Sequence, residues 1–77
     1  MDDLREILAA NLRKLRNARR WTQEELTDRV GLSARYIGQL EREKASASIT
    51  VLGRLAEAFE VEPAELIRRE PSPPVSL

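Results

Sequence analysis

Apolar residues recur along this chain at spacings of three and four, the repeat that puts side chains on one face of an α-helix. Leu4, Ile7, Leu8, Leu12 and Leu15 follow it and predict a first helix over 3–20, with Asp2 and Asp3 suited to cap it and to oppose the helix dipole. Thr22 with Glu25 three residues later forms a capping box that opens a second helix, whose inward positions are Leu26 and Val30. Gly31 ends that helix, because a left-handed residue is needed to turn the chain and Gly takes it without a Cβ clash. Leu32 plugs the turn, Ser33 caps a third helix over 34–42, and Ile37 and Leu40 face inward. Ser48 caps a fourth over 49–59 with the stripe Ile49, Leu52, Leu55, Ala56 and Phe59. Glu62-Pro63 opens a short last helix ending at Leu66 and Ile67. The pattern predicts an all-α, five-helix bundle over 1–69. Residues 70–77, interrupted by Pro71, Pro73 and Pro74, read as a disordered Pro-rich tail.

Residues 22–42 carry most of the information. Two short helices meet at a Gly turn with no room for a longer linker, and Leu26, Val30, Leu32, Ile37 and Leu40 supply one small core between them. This is the pattern of a helix-turn-helix. The third helix turns Ala34, Arg35, Tyr36, Gly38, Gln39 and Arg42 outward. Arg and Gln carry the paired donors and acceptors that read base edges in a major groove, and Tyr and Arg also hold phosphates. Taken alone, such a face also fits a solvated polar helix. Gly38 lies inside this helix, either to let DNA approach the backbone closely or as a tolerated weak point.

The ordered set Leu12, Leu15, Arg16, Thr22 to Leu26, Gly31-Leu32-Ser33, Tyr36-Ile37, Leu40-Glu41-Arg42, Ile49, Leu52, Leu55-Ala56, Phe59-Glu60-Val61 and Leu66 resembles the lambda-repressor-like, Cro/Xre-type helix-turn-helix DNA-binding domain. The resemblance spans roughly residues 8–67. It implies a sequence-specific regulator of transcription that binds double-stranded DNA with helix 34–42 in the major groove. It assigns base reading to Ala34, Arg35 and Gln39. It assigns the DNA backbone to Thr22, Gln23, Ser33, Tyr36, Arg42, Lys44 and Ser46, and a structural ion pair to Arg16 and Glu41. One such unit buries too little surface for strong specificity, so a homodimer on a palindromic operator is expected, with Val61, Leu66 and Ile67 as the dimer surface by fold analogy. Among small regulators of this kind are phage repressors and the controllers of restriction–modification operons. The chain departs from the family pattern at Thr27 (commonly Ala), Glu43 (commonly Gly) and Ala47 (commonly Pro). Thr27 is expected to turn its hydroxyl to a backbone carbonyl. Trp21 is expected to pack, stapling the start of the second helix.

Composition narrows the chemistry further. The chain has 77 residues, no Cys and no His, which removes disulfides, thiolate or imidazole metal sites and most nucleophile–base pairs. No enzyme, metal or cofactor is expected. The longest apolar run, Ile7 to Ala10, fits neither a signal peptide nor a membrane span, and a cytoplasmic protein is expected. Lys and Arg number 13 and Asp and Glu 13, so the net charge is zero. The first 44 residues hold ten basic and eight acidic side chains, and the remainder three and five. The half with the reading helix is therefore the more basic one, and local charge governs encounter with DNA. The crowd of Arg13, Lys14, Arg16, Arg19 and Arg20 near the end of the first helix suits its dipole. The neutral total also suits an antitoxin or another module that binds a protein partner through the same fold.

Overall fold

The computed structural model describes residues 3–69, and the tail reading for 70–77 falls outside them. Five helices follow one another: α1 (Leu4–Ala18), α2 (Gln23–Val30), α3 (Ala34–Glu41), α4 (Ile49–Phe59) and α5 (Pro63–Leu66). Among the described residues there is no strand, and no helix is long and apolar enough to cross a membrane.

Each helix start is made locally. Asp3 accepts from the Arg5 N–H at 2.9 Å and caps α1. The Arg5 guanidinium and backbone N–H, both bonded to this carboxylate, hold it below its ordinary value. Thr22 and Glu25 bond reciprocally at 3.0 Å each way. Ser33 and Ser48 each accept a backbone N–H at 3.1 Å. Between α2 and α3, Gly31 takes φ +78°, the left-handed conformation that the reversal requires.

The core gathers Leu8 and Leu12 from α1, Leu26 and Val30 from α2, Ile37 and Leu40 from α3, Leu55, Ala56 and Phe59 from α4, and Leu66 from α5. Every helix therefore contributes to one apolar centre. Ala9 is also fully buried, and its small side chain lets α1 sit close to its neighbours. Asn11 fastens the last helix: its Nδ2 lies 2.8 Å from the Leu66 carbonyl and 3.0 Å from that of Arg68. These carbonyls have no partner further along a helix, so a side-chain amide satisfies them.

Several expectations are corrected. α1 ends at Ala18 rather than residue 20, because Arg20 turns left-handed at φ +58° and breaks the helical path. Leu4 and Ile49 are 57% and 89% exposed. Each is the first residue of its helix, at the outer end of its apolar stripe. Leu32 is only partly buried and packs against the core from the turn. The Thr27 hydroxyl is buried without a hydrogen-bond partner instead of bonding a backbone carbonyl. Leu66 is fully buried in the single chain, so it is core and unavailable to a second copy.

The arginines at the end of α1 and just beyond it do more than complement a dipole. Arg19 Nη2 donates to the Phe59 carbonyl at 2.6 Å, closing α1 onto the end of α4. Its guanidinium also lies over the Phe59 ring, 5.2 Å from the centroid. Trp21 stacks on Phe59 with ring centroids 5.4 Å apart, and Arg29 covers the Trp21 ring at 4.2 Å. The alternation of cations and rings shields the apolar rings from water and adds the attraction of a cation for a π face.

Candidate nucleic-acid interface

The position of α3 is set at its C-terminal end by one buried carboxylate. Glu41 is 4% exposed and would be costly to bury alone. Arg16 Nε donates to its Oε2 at 2.8 Å and Arg16 Nη2 to its Oε1 at 3.1 Å, the two-pronged geometry that suits a guanidinium and a carboxylate. Gln23 Nε2 donates to Oε1 at 3.0 Å. The third nitrogen of Arg16 donates to the Trp21 carbonyl at 3.0 Å. One anion thus ties α1, the start of α2 and the end of α3 together. Arg13 adds a hydrogen bond from its guanidinium to the Glu41 carbonyl.

With its end held, α3 buries Ile37 and Leu40 and leaves its N-terminal half outside. Ala34 and Arg35 are exposed and Gln39 is half-buried. Gly38 was expected on the outward face, but it is buried beneath the Arg42 guanidinium. The caps retain donors. Thr22 Oγ1 and Ser33 Oγ each accept a backbone N–H, which leaves the hydroxyl proton of each free to donate. Gln23 uses one amide proton on Glu41 and keeps another.

Tyr36 differs. Its only hydroxyl proton goes to the Ser46 carbonyl at 2.9 Å, so the ring and its hydroxyl pin the loop between α3 and α4. That loop begins with Glu43 at φ +63° and continues through exposed Lys44 and Ser46. The Lys44 N–H donates to the Gln39 carbonyl at 2.8 Å, so the Lys44 side chain starts from a backbone fixed to the end of α3. The exposed set lies at the start of α2, along α3 and on this loop. Among the described residues, the Arg35 and Lys44 side chains have no hydrogen bond or ion pair.

Known proteins match this chain over most of its length. A helix-turn-helix family model, HTH_3, matches residues 12–66. The chain belongs to this family. It is 37% identical to the control protein C.SmaI of Serratia marcescens over 68 residues, 88% of this chain and 81% of that protein. The restriction–modification controller protein C.AhdI from Aeromonas hydrophila superposes with a TM-score of 0.77 at 35% identity, covering 80% of this chain and 94% of that one. The hypothetical transcription factor NHTF from Neisseria superposes with a TM-score of 0.84 at 33% identity, covering 87% and 77%. The chain is thus a helix-turn-helix protein of the DNA-binding transcription-regulator class, and its relatives are regulators rather than enzymes.

Residue patterns found the helix-turn-helix and its caps, while several long-range side-chain contacts escaped them. Arg13 reaches Glu41 across 28 residues of sequence and Asn11 reaches Leu66 across 55. No local periodicity signals a side chain that serves the end of a distant helix.

Proposed function

We propose that this chain is a sequence-specific regulator of transcription that binds double-stranded DNA as a homodimer, in the manner of a restriction–modification controller. The observation that carries the reading is α3 itself. Its C-terminal end is locked by the Glu41 cluster, while the Arg35 guanidinium near its start has no partner among the described residues. A rigid helix with a free, multi-donor side chain near its N-terminus suits insertion into a major groove. Arg35 has the geometry to bridge guanine O6 and N7, Gln39 to bridge adenine N6 and N7, and Ala34 to meet a thymine methyl. The hydroxyls of Thr22 and Ser33, the second amide proton of Gln23, and the cations of Arg42 and Lys44 suit the phosphates that flank those bases. Backbone N–H groups at the starts of α2 and α3 favour the same anions. Tyr36 serves by holding Ser46 and its loop in place.

One such unit covers little DNA, and a two-fold pair of units on a palindrome doubles the reading surface. Accessible Ile67 and half-buried Val61 are the residues proposed for the contact between copies. Half-sites about 10 bp apart, or a multiple of that, are expected. The test is selection from a randomised duplex pool at two salt concentrations. Enrichment of a palindrome that persists at the higher salt supports the reading. Binding that ignores sequence and disappears with salt overturns it, because only the phosphate attraction then remains. On the selected site, Arg35→Ala and Gln39→Ala are each expected to weaken binding by about 1–3 kcal/mol and to relax preference at one base pair. Equal weakening on every duplex rules out base reading by that residue.

A further inference from the structure

Gly38 has an ordinary helical φ, and Gly31 is the one glycine among the described residues whose backbone is left-handed. Nothing in the backbone therefore asks for glycine at 38, and in an interior helical position it weakens the helix. Yet the position is buried, although it lies between exposed Ala34 and exposed Arg42, four residues away on either side. The cover is Arg42. A Cβ placed on Gly38 would lie 3.1 Å from Arg42 Nη1, 3.4 Å from Nη2 and 3.5 Å from Cζ. All three atoms belong to the planar guanidinium, so the group rests against the bare backbone of α3. The direction of the side chain follows from helix geometry. Helical side chains lean toward the N-terminus and cover the turn before their own Cα. The Arg42 N–H still donates to the Gly38 carbonyl at 3.1 Å, which keeps Arg42 in register with that turn. Among the described residues the guanidinium makes no hydrogen bond or ion pair, so its donors stay available to an outside acceptor.

We propose that Gly38 is a positioning residue for DNA recognition: it seats the Arg42 guanidinium one turn back along α3, in the turn that carries Arg35 and Gln39, and so sets where this cation meets the duplex. The inference rests on the DNA-binding reading above. A methyl group at 38 comes closer to the guanidinium than nine in ten real Cβ contacts, so the guanidinium must give by a few tenths of an ångström. That is enough to misalign a hydrogen bond to a fixed acceptor without disturbing the core.

The experiment is a double-mutant cycle on the full chain with its selected operator: the unchanged protein, Gly38→Ala, Arg42→Ala and the double variant, each with a thermal melt. Gly38→Ala is expected to melt no lower than the unchanged protein and to bind the operator at least threefold more weakly. In the Arg42→Ala background the same substitution is expected to change affinity by less than twofold. A Gly38→Ala loss below threefold overturns the proposal, as does an undiminished loss when Arg42 is already absent, since that assigns Gly38 a role independent of the cation. A lower melting temperature for Gly38→Ala overturns it too, because it makes the glycine a structural requirement of α3. If the unchanged protein selects no duplex at all, the DNA-binding reading falls first and this role falls with it.

Discussion

At the scale of single residues, two positions store unfavourable energy where the family commonly has another side chain. The Thr27 hydroxyl is buried with no partner, and a desolvated hydroxyl left unpaired costs about 1–3 kcal/mol. Replacing it with the stronger helix former Ala removes that cost and loses one methyl of packing. Thr27→Ala should therefore raise stability by about 1 kcal/mol, read as a higher urea midpoint at unchanged slope. A lower midpoint would mean that the hydroxyl finds a partner in solution. Glu43 sits at φ +63°, where an L side chain meets the following carbonyl at a cost of about 1–2 kcal/mol. Glu43→Gly should raise stability by about 1 kcal/mol, since glycine gives back part of the gain as entropy of the unfolded chain. It also removes a carboxylate from the loop proposed to face phosphate, so affinity for every duplex should rise together, without a change in preferred sequence. The two effects are separable, the first by denaturation and the second by titration with DNA. Thr27 and Glu43 were recognisable from the sequence as departures from a pattern. The direction of each departure in energy needed the hydroxyl's surroundings and the backbone angle.

At the scale of helices, the caps and the turn are local and the clamps are not. Thr22, Gly31, Ser33 and Ser48 act on backbone groups within four residues, so their residue types announce their roles. Glu41 is a different kind of device. It orients α3 by receiving donors from α1 and α2, and removing it strands Arg16 in a site that is 18% exposed. Glu41→Ala should cost about 3 kcal/mol, the lower end of the range for breaking a buried pair, because Arg16 keeps some access to water. A thermal melt or urea titration checks it. The paired change Arg16→Met with Glu41→Met should cost clearly less than Glu41→Ala alone, since it leaves no charge without a partner. If the pair of changes proves as damaging as the single one, packing rather than charge holds α3 in place.

At the scale of the whole molecule, zero net charge matters for how the protein finds DNA. A chain of zero net charge gains little from long-range attraction, so in the proposed DNA-binding reading discrimination rests on short-range contacts along α3 and its neighbouring loop. The proposed self-association also belongs to this scale. Leu66 lies in the core, which leaves Ile67, 37% exposed, as the apolar residue near the end of α5 that a second copy can reach. Ile67→Asp should leave the melting temperature at low protein concentration nearly unchanged, shift the sedimentation profile to monomer, and abolish preference for a palindrome over a single half-site. Unchanged sedimentation would move the contact to another surface.

The amino-acid order by itself determined where four of the five helices start with side-chain caps, where the chain reverses at Gly31, and which apolar residues of α2 and α3 meet, because these follow from hydrogen bonds and periodicity within a few residues. It also determined the family, since the ordered set of core, cap and turn residues is specific to one arrangement of helices. The tertiary structure alone decided the long-range polar pairings other than Arg16 with Glu41. Arg13, Asn11 and Arg19 serve carbonyls 28, 55 and 40 residues away, Tyr36 spends its proton on Ser46, and Arg42 lies down on Gly38. Local order cannot specify these pairings, because a long polar side chain bonds whatever unsatisfied group the packing of helices brings within its reach.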